Sequence, residues 1–404
     1  DFYKNTPEII NNGKEEVKKV LKKLNINVEF EASSEYYVDY DFQQKINIGE
    51  FLTFGSKYIL IEFPFIDNPK NILNIQEFVS TLFGGFPEMR SFGKRVDSYL
   101  QLNSKYDIII DNQSLSYGML AIQQRFPFIE IIHHPITMDL KHDLESNRKI
   151  LYWLSRKRWY SFLHMQKKVA PKMKKIITVS KSSKRDIVND FKCKDVNISV
   201  VHNGLDTNVF KPHEGIKRHK YRLITTASAD VPLKGLDYTL QAIAELKQNI
   251  DIELTVIGKM KEGGHTSRLI KKLNLNELIN FKTNLTKEEI SIEYAKSSVA
   301  IVSSLYEGFG YPVIEAMSCA TPLLAAKTSS IPELVGSYAT LIESRSSTAL
   351  SVAIKDVFNN YDEYKTKAYE GREHVIRHFN WKKISKEYED IIIDNIKQFN
   401  NADI

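Results

Sequence analysis

Short apolar runs alternate with stretches of helical period along most of the chain. In the first half, Tyr58–Phe63, Tyr106–Ile110, Phe128–Ile132, Ile176–Val179 and Ile198–Val201 are brief, continuous and rich in Ile and Val. That is the pattern of strands covered on both faces. The second half repeats it at Arg222–Thr226, Ile252–Ile257, Ser298–Val302 and Pro322–Ala325, with Leu236–Lys247 and Lys287–Lys296 among the helical stretches between. Such alternation predicts parallel sheets wound by right-handed crossovers. The segment Leu205–Tyr221 holds Pro212 and Gly215 and lacks a clear period. The chain therefore reads as two doubly wound α/β domains, residues 1–205 and 206–380, facing across a cleft. A last helix at 381–404, with Ile384, Tyr388, Ile391, Ile392, Ile396 and Phe399 at helical spacing, is expected to pack back on the first domain.

Composition narrows the class. Of 404 residues, 42% are hydrophobic and 26% charged, the profile of a soluble globular protein rather than a disordered or collagen-like one. No apolar run approaches the roughly 18 residues of a membrane span. Cys193 and Cys319 are the only cysteines, too few for a disulfide framework or a Cys-based zinc site, so a reducing, cytoplasmic setting is expected. The opening DFYKNTPEII lacks the apolar core of a secretory signal, and the chain does not start with Met.

The net charge of +6 is mild, but its placement is uneven. Between Glu145 and Asp186 there is no acid, while thirteen Lys and Arg residues lie from Arg148 to Arg185. Trp153, Leu154, Trp159 and Phe162 are interleaved with them. Two readings stand: a helix lying on an anionic membrane surface, or an apolar face packed on the first sheet with its cations in water. A nucleic-acid surface is the outlying alternative.

The segment Ser303–Ala316, SSLYEGFGYPVIEA, follows a strand and carries Gly308, Gly310 and Pro312. Proline suits the first turn of a helix, here predicted over Pro312–Ser318. A strand, a glycine loop and a helix N-terminus form an anion site, because unpaired N–H groups and the positive dipole end point outward. Glu307 in the loop and Glu315, expected on the first turn, can each accept hydrogen bonds from vicinal hydroxyls.

Glu307 and Glu315, with GFGYPVI between, resemble the E-x7-E motif of retaining GT-B glycosyltransferases of the family-4 type. Val200–Asp206, Pro232–Leu236, Val256–Lys259, Ala320–Ala325, Ile331–Val335 and Phe379–Trp381 resemble further family segments in the same order. The resemblance implies two Rossmann-like domains and transfer of a sugar from a nucleotide-diphosphate donor to an acceptor hydroxyl, with retention at the anomeric carbon. It implies that Glu307 contacts the donor sugar with the backbone of Gly308, Phe309, Gly310 and Tyr311, that Glu315 holds the ribose, that Lys234 pairs with the diphosphate, and that His133 faces the sugar. No metal or other cofactor is implied. The donor is expected to be a UDP-sugar before a GDP-sugar, and the acceptor a glycan, a lipid-linked or a small molecule.

Some positions depart from the family pattern. The usual second diphosphate cation, an Arg, is Ala229 here; Lys259, Arg268 or a hydrogen bond from Ser228 could stand in for it. The family's paired glycines before IPE are Ser329 and Ser330, and its Cys-Gly-Thr-Pro is Cys319-Ala320-Thr321-Pro322. No glycine-rich acceptor loop precedes Gly84-Gly85, and Asp39-Tyr40-Asp41 spells a metal motif outside any matching context. An epimerase or phosphorylase of the same fold, and a non-catalytic basic anion-binding protein, are the alternatives.

Overall fold

The computed structural model describes residues 48–53, 56–61, 88–102, 106–146, 149–227 and 230–402. They fall into two compact units. The first holds the chain up to Val179, Ser183–Val201 and the stretch from Ile384 on; the second holds Ser180–Ser182 and His202–Lys383. Ser228, Ala229, Asp39-Tyr40-Asp41 and Gly84-Gly85 lie outside the described residues.

In the first unit the strands are β1 (Ile48–Thr53), β2 (Ser56–Ile61), β3 (Ile108–Asn112), β4 (Phe128–Ile131), β5 (Ile176–Thr178) and β6 (Ile198–Val200). They lie side by side in chain order. β1 runs antiparallel to β2, and every later pair is parallel. Ile109, Phe128, Ile132 and Ile176 pack with Phe92, Met119 and Val169 from the flanking helices in one apolar core. The last helix, Trp381–Ala402, brings Ile396 and Phe399 beside Leu100 and Phe126, around a cavity.

The second unit contains β7 (His219–Thr226), β8 (Glu253–Ile257), β9 (Ile279–Lys282), β10 (Ser297–Val302), β11 (Leu323–Ala326) and β12 (Thr340–Ile342). All are parallel, in the order β12-β11-β10-β7-β8-β9. The chain thus winds outward from β7 to β9, returns to β10 on the other side of β7, and winds outward again. The β7–β10 junction is a topological switch point, where loops leave neighbouring carboxyl ends in opposite directions and open a crevice. Helix Leu236–Leu246 buries Leu236, Leu240, Ile243 and Leu246 against this sheet.

The predicted strands, the edge strand β6 among them, are present with each end within three residues. β1, β9 and β12 were not anticipated. All three are edge strands; β9 is INFK with no fully buried residue, and β12 has three residues. An edge strand needs no continuous apolar run, so its sequence carries little signal.

One feature of the first core is polar. Asp111 and Glu130 are register partners on β3 and β4, and both are fully buried. Asp111 Oδ2 accepts from Ser114 Oγ at 2.7 Å and Leu115 N at 3.2 Å. Burial raises both carboxyls above the usual carboxylate range, and the charge of Asp111 adds to the rise at Glu130. The folded pair keeps a proton that the unfolded chain releases above the ordinary carboxylate range. Because the folded state binds more protons, this contribution is present in acid and declines as pH rises toward the raised pKa of Glu130, by about 1.4 kcal/mol per pH unit for one proton. Amide exchange of β3 and β4 should therefore show opening free energies that fall as pH rises above the ordinary carboxylate range. Glu130→Gln should flatten that slope, and an unchanged slope would remove the pair as its source.

Candidate active site

The switch point brings two loops together. The loop after β7 carries Lys234 and the loop after β10 carries Glu307. The contact is set by Gly235, whose φ is +61°. A Cβ there would lie 2.0 Å from the carbonyl oxygen of Ser303. Leu305 N donates to Leu233 O at 2.7 Å, and Ser303 Oγ donates to Gly235 O at 3.0 Å. Thr239 Oγ1 donates to Ser303 Oγ at 2.9 Å. Only glycine allows both the left-handed backbone and this approach.

Lys234 Nζ stands 2.8 Å from Glu307 Oε1, which also accepts from Ser304 Oγ at 2.7 Å. Glu307 is largely buried. Its backbone is tied as well: Glu307 N donates to Ser329 Oγ at 2.8 Å, and Ser330 Oγ donates to Glu307 O at 2.9 Å and to Phe309 O. Glu307 is thus the hub of four contacts. Gly308 O accepts from Ser180 Oγ at 2.7 Å. The Phe309 ring is buried against Phe379, His202 and Tyr311 at centroid distances of 5.4–6.1 Å. Its backbone therefore borders the loop while its side chain anchors it.

Gly310, at φ +114°, caps helix Tyr311–Ser318. The helix starts one residue earlier than the proline position implies. Glu315 is consequently its fifth residue, beyond the first turn where it was expected. Tyr294 OH donates to Glu315 Oε2 at 3.3 Å. Burial pushes the Glu315 carboxyl up to about 7, with the carboxylate of Glu307 adding to the rise and Tyr294, Lys287 and Lys234 opposing it.

The structure thus assembles Lys234, Glu307, Gly308, Phe309, Gly310, Tyr311 and Glu315 within the second unit. Lys259 is exposed just beyond Gly258 at the end of β8. Arg268 is exposed and donates to Gly263 O. Asp230, at φ +61°, accepts from Thr266 N at 2.7 Å and donates its own N–H to Thr266 Oγ1 at 3.1 Å, joining the loop after β7 to helix His265–Lys272.

His133 belongs to the first unit, two residues past β4. Its Nε2–H donates to Asn112 Oδ1 at 2.8 Å, and its backbone N donates to Gln113 Oε1 at 2.8 Å. Burial, with His134 beside it, lowers its pKa to about 4, so the ring is neutral at pH 7. His134 instead contacts Asp139 at 2.8 Å. Sequence reasoning missed the supports of these groups, Asn112, Gln113, Tyr294, Ser304 and Ser330. Of these, Ser330 alone had a signal, shared with its neighbour Ser329, as a departure from the family's paired glycines.

Substituting Gly235→Ala is expected to destabilise the second unit by more than about 1 kcal/mol, since alanine meets both a disfavoured φ and a carbonyl oxygen. Urea unfolding followed at residues of β7 and β10 measures this. A variant as stable as the parent would show that the close approach does not constrain the two loops.

Comparison with known proteins identifies the family. The family model for glycosyl transferases group 1 matches residues 210–374, and that for glycosyltransferase family 4 matches residues 62–209. An MMP α-(1→4)-mannosyltransferase of Mycolicibacterium hassiacum is 34% identical over 323 residues, 78% of this chain and 77% of its own. Among solved structures, sucrose-phosphate synthase of Thermosynechococcus elongatus superposes with a TM-score of 0.64 at 20% identity, covering 76% of this chain and 78% of its own. HepE of Anabaena in complex with UDP gives 0.61 at 18%, covering 75% and 82%. The two Rossmann-like units and these matches establish that the chain is a glycosyltransferase of the family-4 type with the GT-B fold.

Proposed function

We propose that this glycosyltransferase moves a hexosyl group from a nucleotide-diphosphate sugar, a UDP-sugar in the first instance, to an acceptor hydroxyl, with retention at the anomeric carbon, in glycan or glycolipid synthesis. The observation that carries the reading is the Lys234–Glu307 pair beside the N-terminus of helix Tyr311–Ser318 at the switch point of the second sheet. The glycosyltransferase relatives support the sugar chemistry, and the α-(1→4)-mannosyltransferase makes mannose one sugar to test. The UDP complex of HepE supports the base. Retention rests on the resemblance of Glu307 and Glu315 to the family motif.

In this reading a donor diphosphate takes the Lys234 ammonium from Glu307. The released carboxylate then accepts from the sugar hydroxyls, while Ser304 keeps it oriented. As the bond to the anomeric carbon breaks, negative charge grows on the diphosphate. Lys234 and the helix dipole stabilise that charge with little reorganisation, which is where electrostatic catalysis gains most. Glu307 and Glu315 act as binding groups, unlike the carboxylate pair about 5 Å apart in a retaining glycosidase. His133 is neutral at pH 7, and with its Nε2–H given to Asn112 Oδ1 its Nδ1 is left as an acceptor.

Calorimetry with UDP, GDP, UDP-glucose and GDP-mannose tests the donor. Lys234→Ala should weaken diphosphate binding roughly 10- to 100-fold, the worth of a charge-assisted contact of about 1.5–3 kcal/mol. Unchanged affinity would detach Lys234 from the diphosphate. A Glu315 that holds ribose hydroxyls accepts best when ionised. Nucleotide affinity should therefore rise from pH 6 to pH 8 as its carboxyl passes about 7, and Glu315→Gln should abolish the rise. NMR of the product distinguishes retention from inversion, and an epimerised free nucleotide sugar would indicate the epimerase alternative. Activity is expected to persist in EDTA; loss that Mg²⁺ or Mn²⁺ restores would overturn the metal-free mechanism.

A further inference from the structure

Helix Ile150–Trp159 in the first unit has its polarity reversed. A surface helix ordinarily turns its apolar stripe inward and its charges outward. Here no residue of the helix is fully buried. The side turned toward the neighbouring helix Thr137–Ser146 is made by Tyr152, Arg156 and Tyr160. The guanidinium of Arg156 lies over the Tyr152 ring, 5.4 Å from its centroid, and 3.9 Å from Asp143 Oδ2; Tyr160 OH donates to Asp143 Oδ2 at 3.1 Å. The apolar side chains point the other way: Ile150 is 73% exposed, Leu151 79%, Leu154 51% and Trp153 38%. At about 100° per residue, Trp153, Lys157, Ile150, Leu154, Arg158 and Leu151 follow one another around a single arc. Lys157 Nζ lies 3.9 Å from the Trp153 ring centroid, a cation–π arrangement that keeps ammonium and indole on the same side.

We propose that this arc is a docking surface for an anionic lipid bilayer. Each component fits that occupant. Ile150, Leu151 and Leu154 gain by leaving water for the acyl boundary, Trp153 suits the headgroup level, and Lys157 and Arg158 meet lipid phosphate. The surrounding sequence is free of acid from Ser146 to Arg185, so nothing on this stretch repels an anionic surface. A second copy of the same arc would set Lys157 and Arg158 against like charges. A nucleic acid would use the cations through its phosphates and leave three exposed aliphatic side chains without a partner.

Co-sedimentation of the full chain with phosphatidylcholine vesicles, with and without phosphatidylglycerol, tests the proposal. Binding is expected to need the anionic lipid and to fall as salt is raised. Lys157→Gln together with Arg158→Gln should weaken it roughly thirtyfold. Leu151→Ser together with Leu154→Ser should weaken it without altering its salt dependence. Far-UV circular dichroism and the urea unfolding midpoint, measured on the same preparations, should stay at the parent values in both variants and so show that they are folded. Absence of sedimentation with anionic vesicles at low salt overturns the proposal, as does equal sedimentation with neutral ones. A lipid-free dimer, seen by light scattering and abolished by the leucine substitutions, would assign the arc to self-association. Displacement of anionic vesicles by single-stranded RNA at equal charge would assign it to nucleic acid.

Discussion

The close approach of Gly235 to Ser303 is the constraint on which the candidate site depends. Parallel strands at a switch point send their loops in opposite directions, so two loops rarely touch there unless a residue lets them. With no side chain at 235, the backbone after β7 lies against the backbone after β10, and Leu233 and Leu305 join across the gap. Lys234 is then held beside Glu307 by the chain itself.

The remaining order around Glu307 comes from hydroxyls. Ser304, Ser329 and Ser330 occupy its carboxylate, its N–H and its carbonyl. They also explain two departures from the family pattern. Ser329 and Ala320 stand where glycine is usual and have φ of +43° and +48°, so the backbone keeps the left-handed form that glycine favours. Ser330 has φ −76° and needs no glycine. Its hydroxyl instead bridges the carbonyls of Glu307 and Phe309. The chain accepts local strain at 329 and gains a serine clamp on the loop at both 329 and 330.

What could be read in the sequence depends on how each element is buried. β3, β4, β5, β10 and β11 are covered on both faces, so they appear as unbroken apolar runs. Edge strands β9 and β12 are half covered and look like ordinary loop sequence. The glycine loop before helix Tyr311–Ser318 was legible because glycine, proline and paired glutamates have few other uses at that spacing. Its supports were not, since a serine that clamps a loop and one in water are spelled alike. The Asp111–Glu130 pair was also hidden. Two acids nineteen positions apart give no sign of meeting, and only the register of β3 with β4 makes them neighbours.

Under the proposed function, the Lys234–Glu307 pair finally bears on which ligand the site would favour. A half-buried ion pair gains little from its own attraction once both charges have lost solvent. Its value emerges when one partner is exchanged. A lone phosphate would compete with Glu307 for Lys234 and leave the carboxylate buried without its cation, which is costly. In the proposed reading a nucleotide sugar would bring the diphosphate for the lysine and hydroxyls for the glutamate together, so neither charge would be stranded. In that reading the pair favours a ligand that carries both chemistries over one that carries phosphate alone, before any bond is broken.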